Sequence, residues 1–240
     1  MRAVYGDIYR TLLESLRSGE WPYQSFIPSE SQLVERFQCS HNTVRRAIAM
    51  LAQQGYVQPI HGKGVRVTYL PQHRAPFELG GLETFAEASA RNHMNAVTEI
   101  PAFEEVVCDE ALAARSGFAV GEPLWHLKRV RRIEGKALIL DDNYFLQRAM
   151  PGLTREIAER SIFAYLEGEL GMRVAMSKRT ITVETVDKDD RAYLNLDGYD
   201  CVAVVTNHVF DSEGLMLEYT RSHHRPDCFS FSTVAMRQEV

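Results

Sequence analysis

Basic and small polar side chains cluster at three places in this chain, each with a spacing suited to meeting an anion. At the first, Ser40 precedes His41, Asn42, Thr43, Arg45 and Arg46, while Val44, Ala47, Ile48 and Leu51 recur at the spacing of one buried helical stripe. Burying that stripe leaves the polar residues near the outward N-terminal end, where a recognition helix meets base edges and phosphates, and Arg45 is placed for a guanine contact. The second place is the tip His61-Gly62-Lys63-Gly64 between two β-prone runs. Its glycines let the backbone approach a duplex closely, and Lys63 and His61 offer positive or hydrogen-bonding groups to a minor groove or its phosphates.

The third place is a strand from Leu124 to Arg132. Alternation puts Trp125, Leu127, Arg129 and Arg131 on one face, and Leu124, His126, Lys128, Val130 and Arg132 on the other, which reads as solvated. Arginines on an apolar face are costly unless they meet opposite charge. Two readings follow: internal ion pairs with Asp141, Asp142 or Glu218 on neighbouring predicted strands, or a basic pocket for an anion. Ser161, ahead of an expected helix at 162–170, favours the pocket by offering a hydroxyl and backbone N–H groups to a phosphate, although it also serves as a plain N-cap.

Catalytic chemistry is not indicated. The chain has no metal-ligand spacing, nucleophile elbow or glycine-rich nucleotide loop, so no catalytic residue, metal or cofactor is expected. His223 and His224 are adjacent on a predicted strand and point to opposite faces, a poor chelate that reads as one pocket donor and one surface histidine. Cys39, Cys108, Cys201 and Cys228 form no C-x-x-C pair and read as reduced thiols.

The elements that must hold these groups follow from caps and periodicity. Tyr5, Ile8, Leu12 and Leu16 predict a first helix over 3–18. Ser29 and Gln32 form a capping box that starts a second helix near Glu30, and Ser40 starts the third near His41. Gly55 ends it, and strands at 56–60 and 65–68 flank the basic tip. Caps, tandem helices, an Arg-bearing helix face and a glycine-rich wing together predict a DNA-binding domain at 1–70. A linker at 71–81 carries Pro71, Pro76, Gly80 and Gly81.

Residues 82–240 read as α+β: a helix at 82–91, a strand at 96–107, a helix at 110–116, and strands at 123–133 and 136–145 turning at Glu134-Gly135. Helices at 154–159 and 162–170, a strand at 173–186, and a helix from the Asp187 cap to about 195 come next. Strands at 201–210, 215–224 and 229–236 complete an antiparallel sheet flanked by helices. The chain carries a net charge of −5, yet residues 1–70 hold eight Lys/Arg against five Asp/Glu. A basic first domain suits phosphates, and the acidic remainder is expected to lie away from DNA. No apolar run is long enough to span a bilayer, and the first twenty residues read as an amphipathic helix, so a cytoplasmic protein without membrane contact is expected.

Residues 28–64 resemble the winged helix-turn-helix of the GntR family, through Pro28-Ser29-Glu30, Leu33, Phe37, Ser40, Thr43-Val44-Arg45-Arg46-Ala47, Leu51, Gly55 and Gly62-Lys63-Gly64. The chain departs from the family at His41, where arginine is common, and at Ser31, where a charged residue is. The remainder is similar to the ligand-sensing (UTRA) domain of the HutC subfamily, a chorismate-lyase-like fold. A closer likeness, to the trehalose-responsive branch of that subfamily, runs through Gly81-Leu82-Glu83-Thr84-Phe85, Ile139-Leu140-Asp141, Asn143-Tyr144-Phe145, Leu153-Thr154-Arg155-Glu156-Ile157, Ser161-Ile162, Tyr165-Leu166-Glu167-Gly168-Glu169-Leu170-Gly171, Gly198-Tyr199-Asp200 and Glu218-Tyr219-Thr220-Arg221-Ser222-His223-His224-Arg225.

The resemblance implies a homodimeric repressor on a palindromic operator. Double-stranded DNA is met by Ser29, Glu30, Ser40, His41, Asn42, Thr43, Arg45, Arg46, His61, Gly62 and Lys63. Its trehalose-responsive branch is the nearest in kind and implies trehalose 6-phosphate as the releasing effector. The implied pocket has Arg129, Arg131, Ser161 and Thr84 for phosphate, Asp141 and Glu218 for sugar hydroxyls, and Phe85 for a pyranose face, with His224, Tyr165, Tyr219 and Arg225 beside them. Another phosphosugar or a phosphonate as effector, or a lyase-like enzyme, are the alternatives.

Overall fold

The computed structural model describes residues 5–70, 85, 89 and 95–231, in two compact units divided near residue 74. In the first, α1 (Tyr5–Arg17), α2 (Glu30–Phe37) and α3 (His41–Gln53) precede a two-stranded wing, β1 (Val57–Ile60) and β2 (Gly64–Val67). Leu12, Leu16, Leu33, Val44, Ala47, Leu51, Val57 and Val67 are all but inaccessible and form one core. Both expected caps are present. Ser29 makes the full capping box with Gln32, and the Ser40 side chain accepts from the Thr43 N–H at 3.3 Å. The turn between α2 and α3 closes on Gln38 in the left-handed region, φ 49°.

The wing pairs Val57 with Val67 and Ile60 with Gly64, leaving residues 61–63 as its tip. Gly62 and Gly64 there have φ of 71° and 109°, conformations that side chains other than glycine rarely adopt.

The second unit is built on a six-stranded antiparallel sheet. Its strands are β3 (Ala96–Val107), β4 (Pro123–Ile133), β5 (Lys136–Leu146), β6 (Val174–Thr185), β7 (Cys201–Asp211) and β8 (Met216–His224). They lie in the order β3-β4-β5-β8-β7-β6. Between them come α4 (Glu110–Ser116), α5 (Arg155–Arg160), a turn of α-helix, α6 (Ile162–Ala164), and α7 (Lys188–Tyr193). Asp109 caps α4 and Asp187 caps α7.

Three expectations need correction. The run at 162–170 is not one α-helix: after α6 the backbone widens to a π-helix at Tyr165–Glu169, with the Leu170 N–H reaching back to the Tyr165 carbonyl. That widening lets consecutive Tyr165 and Leu166 both enter the core. The face of β4 expected to be solvated is covered. Leu124 packs in one core with Leu112 and Phe118, and Val130 in another with Val186 and Leu194. Finally, Pro226–Cys228 is a 3-10 turn, since proline has no N–H to extend the β8 ladder, and residues 229–231 lie in no strand. The remainder of the strand expected at 229–236 lies outside the described residues, as does the linker at 71–81. Of the helix expected at 82–91, Phe85 and Ser89 are described, and both are helical.

Candidate DNA interface and effector site

His41, Asn42, Arg45 and Arg46 are exposed along the N-terminal part of α3, and His61, Gly62 and Lys63 are exposed at the wing tip. The first turn of α3 is tightly organised: the Ser40 and Thr43 hydroxyls lie 2.8 Å apart. Glu30 opens α2 beside it and accepts from Arg45 Nε at 2.9 Å, with His41 Nδ1 at 3.7 Å from the same oxygen. The Arg46 guanidinium lies over the Tyr5 ring, 3.8 Å from its centroid. Ser29 is occupied by its own capping box, so it and Glu30 hold the scaffold of the recognition helix.

In the second unit the register decides which side chains share a face. Leu127, Asn143, Thr220, Asn207 and Arg179 form one row across β4, β5, β8, β7 and β6, and Arg129, Asp141 and Ser222 begin the next. Trp125, Phe145 and Glu218, and beyond Arg129 the row of Arg131, Ile139 and His224, lie on the same face. Arg129, Arg131, Asp141 and Glu218 are 8, 6, 7 and 5% exposed, so a sheet face in a domain interior carries four ionisable groups. Unpaired, each would cost several kcal/mol in order of magnitude.

They are paired unequally. Arg131 donates from Nε to Asp141 at 2.9 Å and from Nη1 to Thr98 Oγ1 at 2.5 Å, and its guanidinium lies 4.6 Å from the Phe85 ring centroid. Arg129 instead donates Nε to the neutral Asn143 at 2.7 Å, with Asp141 only at 3.8 Å from Nη2. Asn143 Nδ2 in turn donates to Glu218 at 3.2 Å and Thr220 at 2.5 Å, and the Thr220 and Ser222 hydroxyls donate to Glu218 and Asp141.

The electrostatics follow. Burial, reinforced by Arg131, pushes the Arg129 guanidinium down to about 10. Burial pushes the Glu218 carboxyl up, against the pull of Arg129. Burial would raise Asp141 too, but Arg131, Arg129 and the Ser222 hydroxyl hold it below the ordinary carboxylate range. Burial pushes His224 down to about 4, which leaves it neutral near pH 7, with Nε2 at 3.0 Å from the Ser222 hydroxyl.

Residues 4–67 match the model of the bacterial regulatory proteins of the gntR family, and residues 91–230 match the UTRA domain. The HTH-type transcriptional regulator TreR of Bacillus subtilis is 36% identical over 96% of this chain and 96% of its own length. The chain belongs to the GntR family. Its UTRA domain makes it a regulator of the HutC type, with a helix-turn-helix that implies DNA binding and a sensing domain that implies a small-molecule effector.

The mannosyl-D-glycerate transport/metabolism system repressor MngR of Escherichia coli is 25% identical over 99% of this chain and 98% of the relative. Among solved structures, the effector-binding domain of the B. subtilis trehalose repressor covers 60% of this chain and 99% of itself at 36% identity, with a TM-score of 0.54. The B. subtilis regulator YydK shares the fold over 97% of this chain and 99% of its own, at 18% identity and a TM-score of 0.79.

In this GntR regulator the implied effector residues do not all converge. Arg129, Arg131, Asp141, Glu218 and His224 share one sheet face, and Phe85 packs on Arg131 there. Ser161 caps α6 by accepting from the Ala164 N–H at 3.2 Å, and Ile162 and Leu166 of that segment join the core containing Leu127 and Phe145. Tyr165 is a core residue whose hydroxyl donates to the Pro151 carbonyl. Arg225 is buried at the end of β8, tied to Asp227 at 2.7 Å and Asp197 at 2.6 Å. Thr84 lies outside the described residues.

Tyr219 belongs to the opposite face. It continues a row of rings from His126 through Tyr144 to His208, with His126 and Tyr144 stacked at 4.5 Å. His223 is on that face too, and it is not the surface histidine expected. It is buried against α7, with Nδ1 at 2.8 Å from Asp190, because the α7 cap descends onto the sheet there. Asp187, Asp190 and His223 hold ligand-type atoms within 4.8 Å of one another, all engaged in or beside that cap.

Sequence reasoning missed Asn143, Thr220, Ser222 and Thr98, which supply most of the hydrogen bonds to the charged four. Alternation along β8 carried a signal: Glu218, Thr220, Ser222 and His224 are four polar residues in phase on one face.

Proposed function

We propose that this regulator is a homodimeric repressor of trehalose uptake and utilisation genes, released from a palindromic operator when trehalose 6-phosphate binds the sheet face of the UTRA domain. DNA recognition falls to residues 1–70, effector recognition to 82–240, with 71–81 as the link, and the setting is the cytoplasm. The observation that carries the effector reading is the unequal pairing of the buried arginines. Asp141 serves Arg131 directly, while Arg129 rests on a neutral amide and faces a Glu218 whose carboxyl is pushed toward its protonated form. The face is therefore short of negative charge, which the two charges of a phosphomonoester supply. The likeness to TreR over nearly the whole chain supports the sugar.

Two folded units that share one effector-linked equilibrium obey reciprocity. A coupling of about 1–3 kcal/mol makes the effector weaken operator binding roughly 5- to 150-fold, and saturating operator weakens effector binding by the same factor. The test is fluorescence anisotropy on a duplex that the protein selects from random sequence, with trehalose 6-phosphate, trehalose and a panel of phosphosugars and phosphonates. Release by trehalose 6-phosphate but not by trehalose is expected, and Arg129→Ala narrows that preference. Release by another member of the panel alone, or by trehalose equally, overturns the assignment.

A further inference from the structure

Asn143 sits in the middle of the charged face without carrying charge. It is inaccessible, and both ends of its amide are engaged. Oδ1 accepts from Arg129 Nε at 2.7 Å, and Nδ2 donates to Glu218 at 3.2 Å and to Thr220 at 2.5 Å. The amide cannot be turned round, since that would set its NH2 group against the Arg129 N–H. The residue directly opposite Arg129 across β4 and β5 is Asp141 rather than Asn143. Both Asp141 oxygens are taken, Oδ2 by Arg131 Nε and Oδ1 by the Ser222 hydroxyl. Arg129 therefore reaches one row along the sheet to a neutral acceptor. Its Nη1 and Nη2 make no hydrogen bond among the described residues, Asp141 Oδ2 stays 3.8 Å from Nη2, and the side chain keeps 10% exposure.

An aspartate would fill the same space. It differs from asparagine by an oxygen in place of the NH2 group, and it would give Arg129 a carboxylate at hydrogen-bond distance. The face would then hold three carboxyl groups against two guanidinium groups, and Arg129 would have its charge matched before any ligand arrived. With Asn143 in place, Nε is held while the two terminal nitrogens keep their donors and an unmatched charge. We propose that Asn143 sets the requirement for a doubly charged phosphomonoester over the neutral sugar, by orienting Arg129 without neutralising it. The proposal deepens the effector reading above and rests on it. Asn143 is sealed from any ligand, so it is a positioning residue that acts through Arg129. If it served only to knit β5 to β8, changing it would weaken charged and neutral ligands alike.

Titration calorimetry on the full chain separates these outcomes, with trehalose 6-phosphate, trehalose and inorganic phosphate as probes. Asn143→Asp adds the charge, and Asn143→Ser keeps a neutral acceptor as its control. Asn143→Asp is expected to weaken trehalose 6-phosphate about 10- to 100-fold, the scale of a lost hydrogen bond to a charged group, and to change trehalose less than about 3-fold. Inorganic phosphate weakens in step with the phosphorylated sugar. Asn143→Ser is expected to keep most of the preference for the phosphorylated sugar. If a lowered thermal midpoint shows that Asn143→Asp folds poorly, Asn143→Asp with Glu218→Gln, which removes the neighbouring carboxylate, takes its place and is read against Glu218→Gln alone. Equal losses for the two sugars, no loss for either, or equal losses in the Asp and Ser variants overturn the role of Asn143 and leave the effector assignment intact. Wild-type protein that does not prefer trehalose 6-phosphate to trehalose overturns both.

Discussion

Arg45 and Arg129 carry the same guanidinium, and the two units treat it in opposite ways. Arg45 stands exposed on α3 with one carboxylate, Glu30, at 2.9 Å, and its neighbour Arg46 leans on the ring of Tyr5. Both cations are in reach of water and salt, and such exposed pairs contribute only about 0–1 kcal/mol. Arg129 is buried beside Arg131, fixed by Asn143 and packed 5.8 Å from the Phe145 ring centroid. An exposed cation exchanges its weak partner and counterions for phosphates, so its binding depends on salt. A buried one is organised before any ligand arrives, so its contribution appears as selectivity and as a stability cost if its neighbours change.

The sharpest way to break that contrast is to remove the carboxylate behind the buried pair. Asp141 accepts from Arg131 and Ser222 and lies 3.8 Å from Arg129, so Asp141→Asn keeps the shape and leaves two buried guanidinium groups short of charge. The expected loss is about 3–5 kcal/mol of UTRA-domain stability. The chain has two tryptophans, Trp21 in the first unit and Trp125 in the second, so urea unfolding followed by fluorescence in a Trp21→Phe background reports on the second unit alone. A loss under about 1 kcal/mol would put Asp141 in the same class as an exposed partner such as Glu30.

How much of this was legible beforehand differs between the two regions for the same physical reason. Caps and helical periodicity are local, so Ser29, Ser40 and the stripe of Val44, Ala47, Ile48 and Leu51 located α2 and α3 and left Arg45 on the outside. Strand alternation is local as well, and β3, β4 and β8 fall almost where period two puts them. Pairing is not local. That Arg129 meets Asn143 and Arg131 meets Asp141 depends on the β4–β5 register, and Glu218 enters only because β8 lies against β5, some 75 residues away in sequence. Burial of the second sheet face is also tertiary. Nothing within β8 says that α7 will cover His223, whereas alternation along β8 does put Tyr219 on the face away from Glu218, so its place in the expected pocket conflicts with the strand period.

A pH series sharpens the comparison from the buried side. Burial holds His224 at about 4, whereas in the unfolded chain it titrates near 6.5. Between those values the unfolded state takes up a proton that the folded state refuses, so acidification favours unfolding: stability falls as pH drops from about 6.5 to about 4, and the loss from this group stops below that. The shift corresponds to an effect on the order of 3 kcal/mol. Glu218, raised in the fold, contributes with the opposite sign above its unfolded value, so the informative quantity is the difference between wild type and His224→Gln. The variant is expected to lose the His224 part of the slope in Trp125-monitored urea unfolding. Parallel stability curves for the two proteins across that window would show that His224 is not held neutral by the fold.

The smallest expected effects belong to the exposed pair, and they separate binding from stability. Arg45→Ala should cost about 1–3 kcal/mol in operator binding and relax discrimination at one base pair, with little change in unfolding. Glu30→Gln removes the carboxylate that holds Arg45 Nε, but both groups are solvated, so about 0.2–1 kcal/mol of stability is at stake. Its effect on DNA has the other sign. Taking a negative charge from a surface that faces phosphates should raise affinity for random duplex and steepen its salt dependence, while the freed Arg45 loses the constraint that aims it. The ratio of operator to random-duplex affinity therefore falls in both variants, in Arg45→Ala through weaker operator binding and in Glu30→Gln through stronger non-specific binding. Anisotropy titrations of both duplexes at several salt concentrations resolve the two routes. If Glu30→Gln leaves random-duplex affinity and its salt slope unchanged, Glu30 does not face the phosphates, and the pair with Arg45 only stabilises the junction of α2 and α3.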